Sequence, residues 1–130
     1  MDKQSILIVD DDPDICEAMR VVLENCGYAV EAAGNGDEAM ECIKREAPDL
    51  IILDVMMNKP QEGFFLSREL KKDRRYKGIP ILMLTAVKEK TGIDFKSAAG
   101  DEDWLPVEDY LDKPVKPQVL LERVAALLKK

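Results

Sequence analysis

Asp10, Asp11, Asp54, Thr85 and Lys113 are the side chains best suited to chemistry in this chain, because each stands at the end of a predicted strand. Ile6–Val9 leads into Asp10 and Asp11, Leu50–Leu53 into Asp54 and Ile81–Leu84 into Thr85, while the run from Asp109 ends at Lys113. An apolar run is stabilised by burial, whereas a carboxylate needs water, a proton or a cation. Two unit charges about 4 Å apart repel by roughly 4 kcal/mol at an effective dielectric near 20. Three converging carboxylates are therefore not balanced by one lysine. Oxygen donors without nitrogen or sulfur suit magnesium, which keeps several waters and accepts phosphate as a co-ligand. A carboxylate beside such an ion, with a hydroxyl and an ammonium group opposite, suits phosphoryl transfer. Asp54 could attack phosphorus to give an aspartyl phosphate, with Thr85 and Lys113 binding the other oxygens.

Taken singly, each residue has an ordinary reading. An aspartate at a strand end is commonly a helix cap or a loop residue, and Asp12, before Pro13, is read here as a cap and not a ligand. A threonine often ends a strand, and a lone lysine is by default a solvated charge. The signal lies in the joint order.

That order matters only if the runs end together, which a parallel sheet ensures. Ile6–Val9 and Leu50–Leu53 are continuous apolar runs, as expected of strands covered on both faces. Tyr28–Ala33, Ile81–Leu84 and Asp109–Lys113 complete five predicted strands. Between them, Ile15, Ala18, Met19, Val22, Leu23 and Cys26 recur at helical spacing, and Gly27 is placed to stop that helix. Further helices are expected over Asp37–Glu46 (on Ala39, Cys42 and Ile43), Gly63–Lys72 (through Phe64 or Phe65, Leu66 and Leu70) and Pro117–Lys129 (on Leu120, Val124 and Leu127). A short or irregular one is expected around Ile93–Ala99. Alternating strands and helices predict an α/β fold, a doubly wound sheet with helices on both faces.

The 130 residues suit one domain, 1–130, and 46% hydrophobic with 35% charged residues fits a globular protein. No run reaches the ~18 apolar residues of a membrane span, and no signal-peptide pattern opens the chain, so the expected location is cytoplasmic. A net charge of −7 argues against direct nucleic-acid binding. With no histidine, a histidine triad, a histidine metal site and a phosphohistidine of the chain's own are excluded. Cys16, Cys26 and Cys42 lack metal-ligand spacing and are read as reduced, mostly core-filling thiols.

In order, ILIVDDDPD, PDLIILDVMM, GIPILMLTA and DYLDKPV resemble the response-regulator receiver domain of two-component signalling, over essentially the whole chain. The resemblance implies a (βα)5, flavodoxin-like domain with a five-stranded parallel sheet in the order 2-1-3-4-5. It implies that Asp54 accepts a phosphoryl group from the phosphohistidine of a sensor histidine kinase or phosphotransfer protein. Asp11 and Asp54, with the backbone carbonyl of Met56, would ligate Mg2+, and Asp10 would hold it largely through water. Lys113 would pair with the phosphoryl group, ahead of a cis bond to Pro114. Thr85 and Tyr110 would form a switch, the hydroxyl moving to a phosphoryl oxygen and the ring turning inward, to change an output surface around helix 4, strand 5 and helix 5. A downstream protein or domain would read that surface. Such a chain is a signalling domain with weak self-phosphorylating and self-dephosphorylating chemistry, not a metabolic enzyme, and phosphorylation could drive dimerisation.

Two stretches depart from the family pattern. VMMNKPQE, before Gly63, is longer than usual and places its proline at Pro60. Residues 88–108 replace the familiar helix and turn with a longer acidic segment, whose Trp104 and Leu105 are expected to pack onto the body and which could present an altered output face. Met56 and Val87 are apolar where an amide or acid would position an attacking water, so slow dephosphorylation is expected. Three other readings compete. A pure interaction module would not need the complete set of five residues. An aspartyl-phosphate hydrolase needs a second aspartate where Met56 stands. A flavodoxin-like redox protein needs phosphate donors where the first loop is acidic.

Overall fold

Parity along the strands explains how this sequence builds two cores around one sheet. Leu7, Val9, Ile51, Leu53, Ile81 and Met83 are buried together on one face, and Ile6, Ile8, Leu50, Ile52, Leu82 and Leu84 on the other. Successive side chains of a strand point to opposite faces, so an unbroken apolar run can only be satisfied between two layers of helix. The computed structural model describes residues 4–54, 66, 68–85, 109–112 and 116–128. Its elements are β1 (Ser5–Val9), α1 (Pro13–Glu24), β2 (Ala29–Ala33), α2 (Gly36–Arg45), β3 (Leu50–Asp54), β4 (Ile81–Thr85), β5 (Asp109–Asp112) and a C-terminal helix (Pro117–Leu128). Leu66 and residues 68–72 are also helical.

The five strands are parallel and ordered β2-β1-β3-β4-β5, the order implied by the resemblance. α1 and the C-terminal helix cover one face, through Cys16, Met19, Leu23, Leu120 and Val124. α2 and the helical residues near 70 cover the other, through Ala39, Ile43, Leu66 and Leu70. Ile52 and Leu53 are fully buried, so truncating either to alanine costs about 2–5 kcal/mol.

Local signals set the helix ends. Asp12 caps α1: its carboxylate accepts from the backbone N–H of Asp14 at 2.9 Å and of Ile15 at 3.4 Å, and Pro13 starts the helix without needing an N–H partner. Asn35 caps α2 by accepting from Glu38 N–H, while the Glu38 carboxylate reaches back to Gly34 N–H at 2.7 Å, a close relative of the capping box. Gly27, in the turn after α1, has φ +92°, a conformation open to glycine at little cost.

Several details differ from expectation. α1 buries Cys16, Met19 and Leu23, while Ala18 is exposed and Ile15 and Val22 are only partly buried. Cys26 is exposed. α1 ends at Glu24, so Cys26 lies in the following turn and leaves the helical face. Only Cys16 is a buried thiol, Cys42 being half-buried. Tyr28 precedes β2, which starts at Ala29. Phe64, Phe65, the segment expected to be helical around Ile93–Ala99, and Trp104 with Leu105 lie outside the described residues.

Candidate functional site

β1 and β3 are neighbours, with Val9 opposite Leu53, so the next residue of each chain brings Asp10 beside Asp54. Both continue the parity of Ile8 and Ile52, which places their carboxylates on the α1 side of the sheet. Asp10 and Asp54 are 2% and 1% exposed, buried positions that ionisable side chains rarely occupy without compensation. Asp11, one step beyond Asp10, is the member of the trio open to solvent. Asp10, Asp11 and Asp54 each offer a carboxylate oxygen, and the three lie within 4.8 Å of one another. A parallel register has thus gathered residues more than forty positions apart into one acidic cradle at the carboxyl ends of the strands.

The loop holding the cradle is fastened from within. Asp10 N–H donates to Ala33 O at 3.0 Å, tying the loop to the end of β2. One Asp10 carboxylate oxygen accepts from Asp12 N–H at 2.9 Å, and Asp12 in turn caps α1. The Cys16 thiol donates to the Asp10 carbonyl at 3.4 Å. Each polar group of the turn therefore satisfies the next, which fixes Asp10, while Asp11 stays open to solvent. The N-terminus of α1, which carries partial positive charge, begins beside these carboxylates and moderates their repulsion.

An open cleft of about 240 Å³ adjoins the trio, lined among others by Asp10, Asp11, Cys16, Glu17, Arg20 and Gly34. Sequence reasoning did not mark Glu17 or Arg20. Their signal was available: with Pro13 and Cys16 they recur at helical spacing on the face of α1 nearest the acidic loop. Arg20 also pairs with Glu24 at 3.2 Å.

The remaining expected site residues are placed less fully. Thr85 ends β4, one step beyond Leu84, the register partner of Asp54, so its backbone lies on the same rim. Tyr110 sits within β5 opposite Met83. Lys113, with its bond to Pro114, follows β5 directly but lies outside the described residues, as do Met56 and Val87.

The donor set fits a hard divalent cation: three carboxylates at one edge, with neither nitrogen nor sulfur among the donors. Among the described residues no helix is long and apolar enough to cross a membrane.

Comparison with known proteins agrees with this geometry. The family model described as the response regulator receiver domain matches residues 6–125. The DNA-binding response regulator MtrA of Mycolicibacterium smegmatis is 34% identical over 98% of this chain and 52% of its own length. The DNA-binding dual master transcriptional regulator RpaA of Synechocystis is 39% identical over 96% of this chain and 49% of its own. The chain thus spans about half the length of these curated relatives. Among solved structures, the chemotaxis response regulator CheY4 of Vibrio cholerae superposes with a TM-score of 0.80 at 29% identity, over 98% of this chain and 100% of that one. A family match over nearly the whole sequence, the same sheet order and the acidic cradle agree: this chain belongs to the response regulator receiver domain family and is a receiver of two-component signalling.

Proposed function

We propose that Asp54 is the phospho-acceptor and that Asp10, Asp11 and Asp54, with the Met56 carbonyl, hold Mg2+ beside it. The observation that carries this reading is the convergence of the three carboxylates, two of them buried, at the carboxyl edge of the sheet. An Asp54 carboxylate oxygen attacks the phosphorus of a partner's phosphohistidine. The P–N bond breaks, the imidazole leaves with its electron pair and takes up a proton, and an acyl phosphate remains on Asp54. The ion, when bound, supplies positive charge against the carboxylates and the phosphoryl oxygens. Asp10 is held rigid by Asp12 N–H, Ala33 O and Cys16, so the cradle needs little rearrangement to receive a cation.

The roles of Thr85 and Lys113 in binding the phosphoryl group, and of Thr85 with Tyr110 as the switch, rest on the resemblance and on the places of Thr85 and Tyr110 in the sheet. The partners in this reading are a sensor histidine kinase or phosphotransfer protein upstream and an output protein or domain downstream. The setting is cytoplasmic and the role is signalling, not metabolic catalysis. DNA binding is named for MtrA and RpaA, which are about twice as long as this chain. For this stretch, a net charge of −7 argues against contact with a phosphate backbone. The apolar Met56 and Val87 accord with a long-lived acyl phosphate, and a lifetime unchanged in Met56→Asn and Val87→Glu variants would refute that part.

Mass spectrometry after incubation with acetyl phosphate and Mg2+ tests the proposal. One added phosphoryl group is expected in the native chain and none in Asp54→Asn. No gain in the native chain, or an equal gain in the variant, overturns it.

A further inference from the structure

A second charged feature lies at the other end of the sheet. Residues 68–77 hold six cations and two carboxylates in a chain whose net charge is −7, so the remainder is more acidic than the total. They form the helix end and turn that lead into the amino end of β4, whereas the acidic cradle sits at the carboxyl ends of the strands. Occupancy here leaves Asp54 uncovered.

The turn is built, not loose. Tyr76 is 6% exposed and packs in the same core as Leu70 and Ile43, which joins the turn to α2. Lys71 Nζ donates to the carbonyls of Lys77 at 3.2 Å and Ile79 at 3.1 Å. Asp73 accepts from the Arg75 backbone N–H and, through both oxygens, from its guanidinium. That guanidinium lies over the Tyr76 ring, 4.9 Å from its centroid. Two cations are thus used to hold the turn. Lys72, Arg74 and Lys77 are exposed and, among the described residues, make no ion pair. Lys44, on the last turn of α2, is exposed as well, and its charge reaches Asp73.

We propose that Lys44, Lys72, Arg74 and Lys77 form a docking surface for a short acidic segment of a partner protein. Like charges held apart on a fixed turn cost free energy that an anion relieves, and a pre-formed turn lowers the ordering cost of binding. The patch draws on the end of α2 and one turn, and its cations are flanked in sequence by Glu41, Glu46 and Glu69. A short peptide fits within it, whereas a nucleic acid would carry further phosphates across the acidic surroundings. This surface is independent of the role proposed for Asp54.

The test is fluorescence anisotropy with labelled oligoglutamate and, separately, a labelled DNA duplex. Oligoglutamate is expected to bind the native chain, weakening roughly tenfold as salt rises from about 0.01 M to about 0.15 M and the Debye length falls from about 30 to about 8 Å. Lys72→Glu/Lys77→Glu is expected to weaken it at least about tenfold, and Arg74→Ala, which barely perturbs the turn, by a smaller factor, with thermal midpoints confirming that both fold. Lys116→Glu/Arg123→Glu, an equal change in net charge on another element, is the control and is expected to stay within about twofold. Equal loss in the two double variants, tighter binding of the duplex than of oligoglutamate, or an effect confined to self-association overturns the proposal.

Discussion

Replacing Asp54 by asparagine should stabilise the metal-free protein while abolishing its response to magnesium. The Asp54 carboxylate shares a cluster with Asp10 and Asp11 whose oxygens lie within 4.8 Å of one another. At about 5 Å each pair repels by ~3 kcal/mol at an effective dielectric near 20 and by ~0.8 kcal/mol in water. The first value suits the buried Asp10–Asp54 pair and the second the solvent-facing Asp11, giving roughly 4 kcal/mol gross. The amide is a weaker acceptor than the carboxylate, and the groups that bond Asp54 lose part of that sum, leaving a net gain of about 1–3 kcal/mol. Each kcal/mol moves the midpoint of a domain this size by about 2–8 °C. In the native chain, Mg2+ at ~100 times its Kd adds about 2.7 kcal/mol, so its midpoint rises with the ion. Thermal denaturation followed by circular dichroism, with chelator and with Mg2+, reads both effects. A variant that melts below the native chain in chelator, or that rises as much with Mg2+, would show that these carboxylates neither repel one another nor hold the ion.

Three further outcomes follow from the local geometry. Asp12→Ala removes an acceptor used by two backbone N–H groups and should cost about 1 kcal/mol in denaturant unfolding, by loss of the α1 cap. Asp73 is held below its ordinary value of 3.8 by its hydrogen bonds to Arg75. A depressed carboxylate stabilises the fold above its unfolded value, and that contribution is lost only as pH falls through the folded value. The Asp73 carboxyl resonance should therefore titrate below 3.8 and move up in Arg75→Ala. An alkylating reagent should modify exposed Cys26 first. It should be slower at Cys42, whose thiol is pushed up by burial and by Glu31, and slowest at buried Cys16, as peptide mapping over time would show.

Strand identity and the acidic cradle were legible because burial on both faces leaves an unbroken apolar run, and the residue ending each run is fixed by the run itself. Asp10, Asp11 and Asp54 needed only the rule that parallel strands share an edge. The sheet order was not readable from any run, since nothing in Ile6–Val9 says that it lies between β2 and β3; resemblance supplied it. Cys26, expected among the mostly core-filling thiols, is exposed for a physical reason. Cys26 obeys the helical period, but the helix stops at Glu24, and periodicity beyond a stop has no meaning. The fastening of Asp10 by Cys16 and Ala33 was invisible, because it depends on where backbone carbonyls end up. Arg20 and Glu17 were overlooked because an exposed pair of opposite charges on a helix ordinarily serves solvation. The basic turn at 68–77 reads as charge in the sequence, but which cations are used internally emerges only from the bonds of Lys71 and Arg75.

The most direct test of the account is to find which carboxylate carries the phosphoryl group. Borohydride reduces an acyl phosphate to the alcohol with release of phosphate, so a phosphorylated aspartate becomes homoserine. After phosphorylation with acetyl phosphate and Mg2+, peptide mapping by tandem mass spectrometry should show homoserine at position 54, and none when the ion is chelated. Homoserine at Asp10, Asp11 or another aspartate, or equal yield without the ion, would contradict it.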